Sequence, residues 1–492
     1  MSQQNLQRII KSDYLKLVPI IGLAFFIAFI PHQNYLYPVH IDEWFHMALS
    51  NELIRKGGIV GLTDPFSGGA PLWNQIFELG FHLFVSVFRQ ISGITWLDIV
   101  RYFPSIIFIM TVLSVYVLAQ RQGFGWEAAF FACLVPTTVG ILGPAFFVPV
   151  ALGLLFIPLA IFLAFNIRSV WSYVVLCIFN MFLVCMHAAT VVSIAIILVP
   201  YILLNLKGNF KHGLGITLAL ALPFIVTLFI AMFHWVIETI QLYGGRLLVQ
   251  QPHPLFIQLP QVTYTYGYLP ILIGLFGIFL LAMRRDKEGF GLILGLLALL
   301  VMLVAFFTFG YGEIEMYTRG LIYMMLVMSI VAGAALKGIR SFILPVNFSA
   351  WLRAPLIIKN IGNILCLALI SLTLVFSIPQ RQSTRYYHMI DQEDYQAFIW
   401  IKDNLSNNYD KAILDPWKAT AFTTITQKKS FTRIHMAPTA IDNEAYSFLM
   451  SGCDNTTFLR ENGISIVYTT EGSSNPDLVE VRTNVFIVKE GE

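Results

Sequence analysis

Eleven apolar runs of 16 to 22 residues recur through the first 378 positions, at 15–31, 100–119, 126–142, 147–167, 171–186, 190–206, 214–235, 264–283, 290–309, 320–336 and 361–378. About 20 residues of helix cross the hydrocarbon of a bilayer. There, with no water to bond backbone N–H and C=O groups, only helices and closed barrels persist. The runs are rich in Phe and Leu and show no strand-like alternation, so they predict helices crossing a bilayer. Charge agrees: residues 1–378 carry 33 charged side chains, whereas residues 379–492 carry 26 in 114 positions, a density ordinary for soluble domains. The chain divides on this basis into a membrane domain, 1–378, and a soluble tail, 379–492. A cytosolic enzyme is excluded, and a net charge of +3 is too small to argue for a nucleic-acid partner.

The five cysteines give neither metal-ligand spacing nor a disulfide framework. The first run follows Arg8, Lys11 and Lys16 without a small-residue cleavage site, so it reads as a retained span. A further stretch, 76–91, carries Glu78, His82 and Arg89 and is read as lying on the membrane surface. With that segment not crossing, fourteen Lys and Arg of the body fall on the N-terminal side and six on the other. A crossing there would invert every later loop and spoil this bias, so the positive-inside rule predicts a cytoplasmic N-terminus and an extracytoplasmic tail in a multi-pass cell-membrane protein. The outer face then gathers the first loop, 32–97, a second at 236–263, a short turn at 310–319, and the tail. Nine of the body's 13 acidic residues fall on that face.

The first outer loop opens Val39-His40-Ile41-Asp42-Glu43-Trp44-Phe45-His46 and continues to Asp64-Pro65-Phe66. Apolar residues at 44, 45, 48, 49 and 53 fall at helical spacing, predicting an amphipathic interfacial helix that begins at Asp42. Two readings of the acidic pair stand. Asp42 caps the helix while Glu43 complements its dipole, or one carboxylate deprotonates a nucleophile while its neighbour tunes its pKa.

This arrangement resembles the GT-C superfamily of multi-span glycosyltransferases, which use polyprenyl-phosphate-linked sugars. The matching features are a first span, a large outer loop opening on Asp42-Glu43, two surface helices, an alternating bundle and an outer C-terminal α/β domain. Weaker support comes from Asp64-Pro65-Phe66, His187 and Met316-Tyr317-Thr318-Arg319. The resemblance implies an α-helical polytopic fold of about 11 spans with a small extracytoplasmic α/β domain, and makes Asp42 the catalytic carboxylate with Glu43 as its partner. It is distant to the oligosaccharyltransferase and protein mannosyltransferase branches. The second acidic motif of the oligosaccharyltransferases falls where this chain reads Gly140-Ile141-Leu142-Gly143-Pro144, with no acid, and their W-W-D-Y-G signature is replaced by Leu414-Asp415-Pro416-Trp417-Lys418. These departures favour a monosaccharide donor.

Arg319 sits where an outer turn enters a span, either as an interfacial anchor or, with its bidentate guanidinium, as a ligand for the donor phosphate. His187, at the outer end of another span, is read as a second phosphate contact or as a packing residue. His46, Arg246 and Tyr317 are expected substrate contacts. Asp42 and His46 stand at i,i+4, but two ligands do not make a metal site; no cofactor is required, and room for a divalent metal, Mg or Mn, held by Asp42 is left open. The loop containing Arg246 is too polar to span and is read as substrate-covering. In the tail, helices are expected over 393–404, 417–426 and 448–462 with a break at Gly452, and strands over 412–414, 464–468 and 485–488.

The function expected is transfer of a hexosyl or pentosyl group from a polyprenyl-phosphate donor to a glycan, lipid or protein acceptor outside the membrane, with inversion. The alternatives are oligosaccharyltransferase-like transfer to protein, and a lipid or sugar flippase. Against the flippase, runs 147–167 and 290–309 carry no charge where a transport path needs ionisable residues.

Overall fold

The computed structural model describes residues 13–66, 76–167, 169–231, 259–343, 360–406, 408–434 and 437–489. It separates into two compact units. The first, here the helical unit, comprises 1–31 and 102–385; the second, the mixed unit, comprises 32–101 and 386–492. The first loop and the tail therefore share one unit.

The helical unit is a polytopic bundle. Among the described residues, seven helices are long and apolar enough to cross a membrane, from Tyr14–His32 to Ile361–Gln382. Leu259–Tyr266 and Tyr268–Arg284 make an eighth span if joined, bent by 103° at Gly267, whose φ of 109° suits glycine alone. Pro149–Phe165 and Val170–Met186 are apolar but shorter. The run at 126–142 does not form a spanning helix. It is helical only over Gly125–Ala132, because Pro136, Gly140, Gly143 and Pro144 break the helix beyond that point. That irregular stretch is almost entirely buried, the condition under which non-helical backbone persists in a membrane protein. Close backbone approach holds the bundle together. A Cβ placed on Gly277 would lie 2.1 Å from the Val331 carbonyl oxygen, one on Gly295 2.6 Å from that of Ile197, and one on Gly333 2.5 Å from the Ala128 nitrogen, so these contacts require glycine, as in other membrane bundles.

The mixed unit is built around helix Ile41–Lys56. Its Trp44, Phe45, Met47, Ala48, Leu49 and Leu53 are buried together with His46, Ser50 and Glu52. The expected one-sided amphipathic helix is therefore covered on more than one face. Ile76–Ser92 packs on one side, where Ser86 Oγ donates to the Ser50 carbonyl at 3.0 Å. Helix Ala419–Thr426 of the tail packs on another, with Thr424 Oγ1 donating to the Trp44 carbonyl at 3.0 Å. The tail contributes a five-stranded sheet, β1 (Lys411–Ile413), β2 (Lys429–Ser430), β3 (Ile466–Tyr468), β4 (Leu478–Arg482) and β5 (Val485–Val488), in the order β2-β1-β3-β5-β4. β1 pairs parallel to β2 and β3, and β5 runs antiparallel to β3 and β4. Helices Gln392–Asn404, Ala440–Met450 and Thr456–Glu461 complete it.

Candidate active site

Helix Ile41–Lys56 starts with a capping box, and Asp42 is not its cap. His40 is the N-cap residue: its backbone is extended and its Nδ1 accepts from the Asp42 N–H at 3.1 Å. Glu43, three residues on, reaches back so that its Oε2 accepts from the Val39 and His40 N–H groups at 2.7 and 3.0 Å. This is the reciprocal geometry of a capping box, with an imidazole in place of a hydroxyl. Glu43 is fully buried and its carboxylate is committed to the backbone. The carboxylate of Asp42 is relieved of capping and remains partly exposed, at 24%. Its Oδ2 lies 3.8 Å from His40 Nδ1; that nitrogen must be unprotonated to accept from the backbone, so the approach is not an ion pair while His40 is neutral. Of the acidic pair, one member builds the helix end and the other is presented by it.

The residues around this end are aromatic. Asp64 Oδ1 accepts from the Phe66 N–H at 2.9 Å, closing the Asp64-Pro65-Phe66 turn and setting Phe66 on Phe45 at 5.6 Å between ring centroids. The guanidinium of Arg433, from the tail, lies 4.1 Å from the Phe66 ring and 5.5 Å from that of Phe45. Burial pushes its pKa down against the opposing charge of Asp64, and its Nη1 has no hydrogen-bond partner among the described residues. Nothing in the local sequence marks Arg433, because Phe45 and Arg433 are far apart in the chain. His46, one turn after Asp42, turns instead to His82: Nδ1 and Nε2 are 2.9 Å apart and both rings are buried. Burial holds His82 down to about 3. His46 is thus tied to a second histidine, and the i,i+4 pair with Asp42 does not converge as metal ligands.

In the helical unit, His187 sits between helices Val170–Met186 and Ala188–Leu206. Its Nδ1 pairs with Thr190 Oγ1 at 2.7 Å, and that hydroxyl pairs with Tyr323 OH at 2.7 Å. Its Nε2 lies 3.4 Å from Glu315 Oε1. Sequence reasoning misses Glu315 as a site residue, although its i,i+4 spacing to Arg319 on one helix face is a visible signal. Arg319 Nη1 donates to the Ile141 carbonyl at 3.4 Å, while its buried Nε has no hydrogen-bond partner among the described residues. Tyr317 is buried and stacks on Phe306 at 4.8 Å, the environment of a packing residue. Arg246 lies outside the described residues. Asp42, Glu43 and His46 thus belong to the mixed unit, and His187, Tyr317 and Arg319 to the helical unit.

No family model matches this sequence, and no curated protein matches it. Solved structures do match. The apo oligosaccharyltransferase of Archaeoglobus fulgidus superposes with a TM-score of 0.63 at 13% identity, over 93% of this chain and 70% of that one. ArnT from Cupriavidus metallidurans bound to undecaprenyl phosphate gives 0.58 at 14%, over 96% and 97%. The arabinofuranosyltransferase AftD from Mycobacteria gives 0.59 at 14%, over 98% of this chain and 40% of that one. At these identities the likeness is one of fold. The chain is a multi-pass helical membrane protein with a small C-terminal sheet, and its fold is the one implied by the resemblance to the GT-C superfamily.

Proposed function

We propose that this protein is a membrane glycosyltransferase that moves a sugar from a polyprenyl-phosphate donor to an acceptor hydroxyl on the extracytoplasmic face, inverting the anomeric centre. The observation that carries this reading is the division of labour at the start of the Ile41–Lys56 helix: His40 and Glu43 make the cap, and the Asp42 carboxylate is left for chemistry. In the reaction, the acceptor oxygen forms a bond to the anomeric carbon as the bond from that carbon to the phosphate oxygen breaks. The bonding pair leaves with polyprenyl phosphate, and the acceptor proton passes to Asp42. A phosphate on an anomeric carbon is a good leaving group, so the demands on the protein are a base for the acceptor and a cation for the phosphate. Arg319 fills the second role with its uncommitted guanidinium donors, and His187 joins it, held in orientation by Thr190 and Tyr323. Neither a metal nor another cofactor enters this scheme.

The fold match to proteins whose structures hold dolichol phosphate or undecaprenyl phosphate supports a polyprenyl-phosphate donor here. The departures from the oligosaccharyltransferase motifs support a single hexose or pentose over a preassembled glycan. The test is transfer by the purified protein in nanodiscs, supplied with polyprenyl-phosphate monosaccharides and membrane glycolipid extract. The reading requires release of polyprenyl phosphate coupled to a glycosylated product of inverted configuration. Release uncoupled from any acceptor, or retained configuration, refutes it.

A further inference from the structure

The mixed unit holds a cavity of about 720 Å³ toward the far end of the Ile41–Lys56 helix, and a second of about 560 Å³ that shares Asn51, Arg55, Lys402, Thr424 and Gln427 with it. Together they make one cleft, whose first lobe alone matches the roughly 300–1,000 Å³ of small-molecule sites. Nine residues separate Asp42 from Asn51, roughly 14 Å of helix at ~1.5 Å per residue. The cleft is therefore distinct from the end that presents Asp42.

Its lining combines flat apolar rings with hydrogen-bonding groups that have nothing to bond. The indoles of Trp44 and Trp96 line the first lobe. Asn51 Oδ1 accepts from Trp96 Nε1 at 2.6 Å and from Arg89 Nη1 at 3.2 Å, which fixes the amide so that Nδ2 carries donors, and these have no acceptor among the described residues. Trp44 is completely buried, and its Nε1 donor has no partner among the described residues. Thr423, 2% exposed, lines the second lobe with a buried Oγ1 that has none either. Buried polar groups without partners are costly, and a ligand that brings its own hydroxyls relieves them. An apolar ligand would not. An anion is not favoured, because the cations here are engaged: Arg55 by Glu52 at 2.6 Å, Lys428 by the carbonyls of Leu405, Ser406 and Tyr409, and Lys429 by Asp410 at 3.5 Å.

We propose that this cleft is a saccharide-binding site, taking the distal part of a glycan acceptor whose near end is glycosylated. Its role as an acceptor subsite rests on the transferase reading above, while its binding of saccharide does not. The test is retention of the full-length protein, in nanodiscs, on an array of immobilised neutral and acidic oligosaccharides. Binding to at least one oligosaccharide is expected, weakened about tenfold, the equivalent of one good hydrogen bond, by Thr423→Val and by Lys402→Glu. Lys402 is exposed, so its replacement does not threaten the fold. Asp42→Asn should bind as the unsubstituted protein does. No retention on any glycan overturns the proposal, as does retention unchanged in both cleft variants, or retention lost in Asp42→Asn. Saccharide binding by a protein that releases no polyprenyl phosphate supports the cleft and refutes the transferase reading alone.

Discussion

The two units satisfy their backbones in opposite ways. In the helical unit, long helices bond internally and approach each other through glycine, as at Gly277, Gly295 and Gly333. In the mixed unit, short helices end where water or a neighbouring loop would compete, and three begin with reciprocal capping boxes: His40 with Glu43, Asp391 with Asp394, and Thr439 with Asp442. The difference teaches where carboxylates are free to act. In the bundle, Glu127 is buried and held 2.7 Å from Arg340, and Glu315 lies 3.4 Å from His187. In the mixed unit, capping consumes Glu43, Asp394 and Asp442, so an acid beside a cap that is already complete, as Asp42 is, is the exception that chemistry can use.

The largest effect that would break this contrast is steric. Gly333→Val sets a side chain against the backbone of Ala128, 2.5 Å from its nitrogen, where no rotamer change gives relief. Overpacking typically costs about 1–3 kcal/mol, occasionally more; against backbone we expect a protein that does not accumulate in membranes. Gly22→Ala, with nothing within 4 Å of the added carbon, should express at least as well. Comparable levels of folded protein for both, by fluorescence-detected size exclusion, would show that close approach is not what binds the bundle.

Next comes Arg319. Losing hydrogen bonds to a charged group costs about 1.5–3 kcal/mol, so Arg319→Ala should weaken binding of polyprenyl phosphate by roughly 10- to 100-fold. Arg319→Lys should recover part of it, since a point charge replaces the fork. Normal affinity in the alanine variant, measured by microscale thermophoresis, would make Arg319 an anchor.

Smaller again is the cap. Glu43→Ala removes acceptors from the Val39 and His40 N–H groups and should cost about 1–2 kcal/mol, read as earlier urea unfolding of the mixed unit by tryptophan fluorescence. Glu43→Gln, which keeps an acceptor, should cost less. Equal losses would remove the capping role assigned to Glu43.

The mildest effect is on pH dependence. His82 is held near 3 by burial against an ordinary 6.5, so between those values the unfolded chain binds a proton that the folded one refuses. Its contribution is present above pH 6.5 and is lost as pH falls toward 3. Melting temperature should decline through that window, and His82→Asn should flatten the decline. An unchanged slope would remove His82 as its source.

The elements of the tail are largely legible from periodicity: Gln392–Asn404, Lys411–Ile413, Ala419–Thr426 and Val485–Val488 fall where residue patterns put them, and the expected helix over 448–462 is indeed interrupted around Gly452, at φ 79°. β4 is not legible, because Leu478-Val-Glu-Val-Arg482 alternates with charges, as an edge strand does. The run at 126–142 misleads because its apolar content outweighs Pro136 and Gly140 in a hydropathy reading. The cap misleads because Asp heads the preferred cap residues and His does not, although Glu43 at the third position is a visible capping-box signal. The packing of loop on tail is beyond any local reading. Thr424 meets Trp44 across 380 positions, and Arg433 meets Phe66, contacts that no local pattern encodes.

The central claim is that Asp42 is the base while Glu43 is scaffold. It is tested most directly by turnover of Asp42→Asn and Glu43→Gln on the same polyprenyl-phosphate sugar, each matched for melting temperature. Asp42→Asn should fold normally, since His40 and not Asp42 caps the helix, and should lose at least ~100-fold in kcat, the lower end for general-base contributions. Glu43→Gln should retain most of its turnover. Near-normal kcat in Asp42→Asn, or the greater loss in a folded Glu43→Gln, would contradict the assignment.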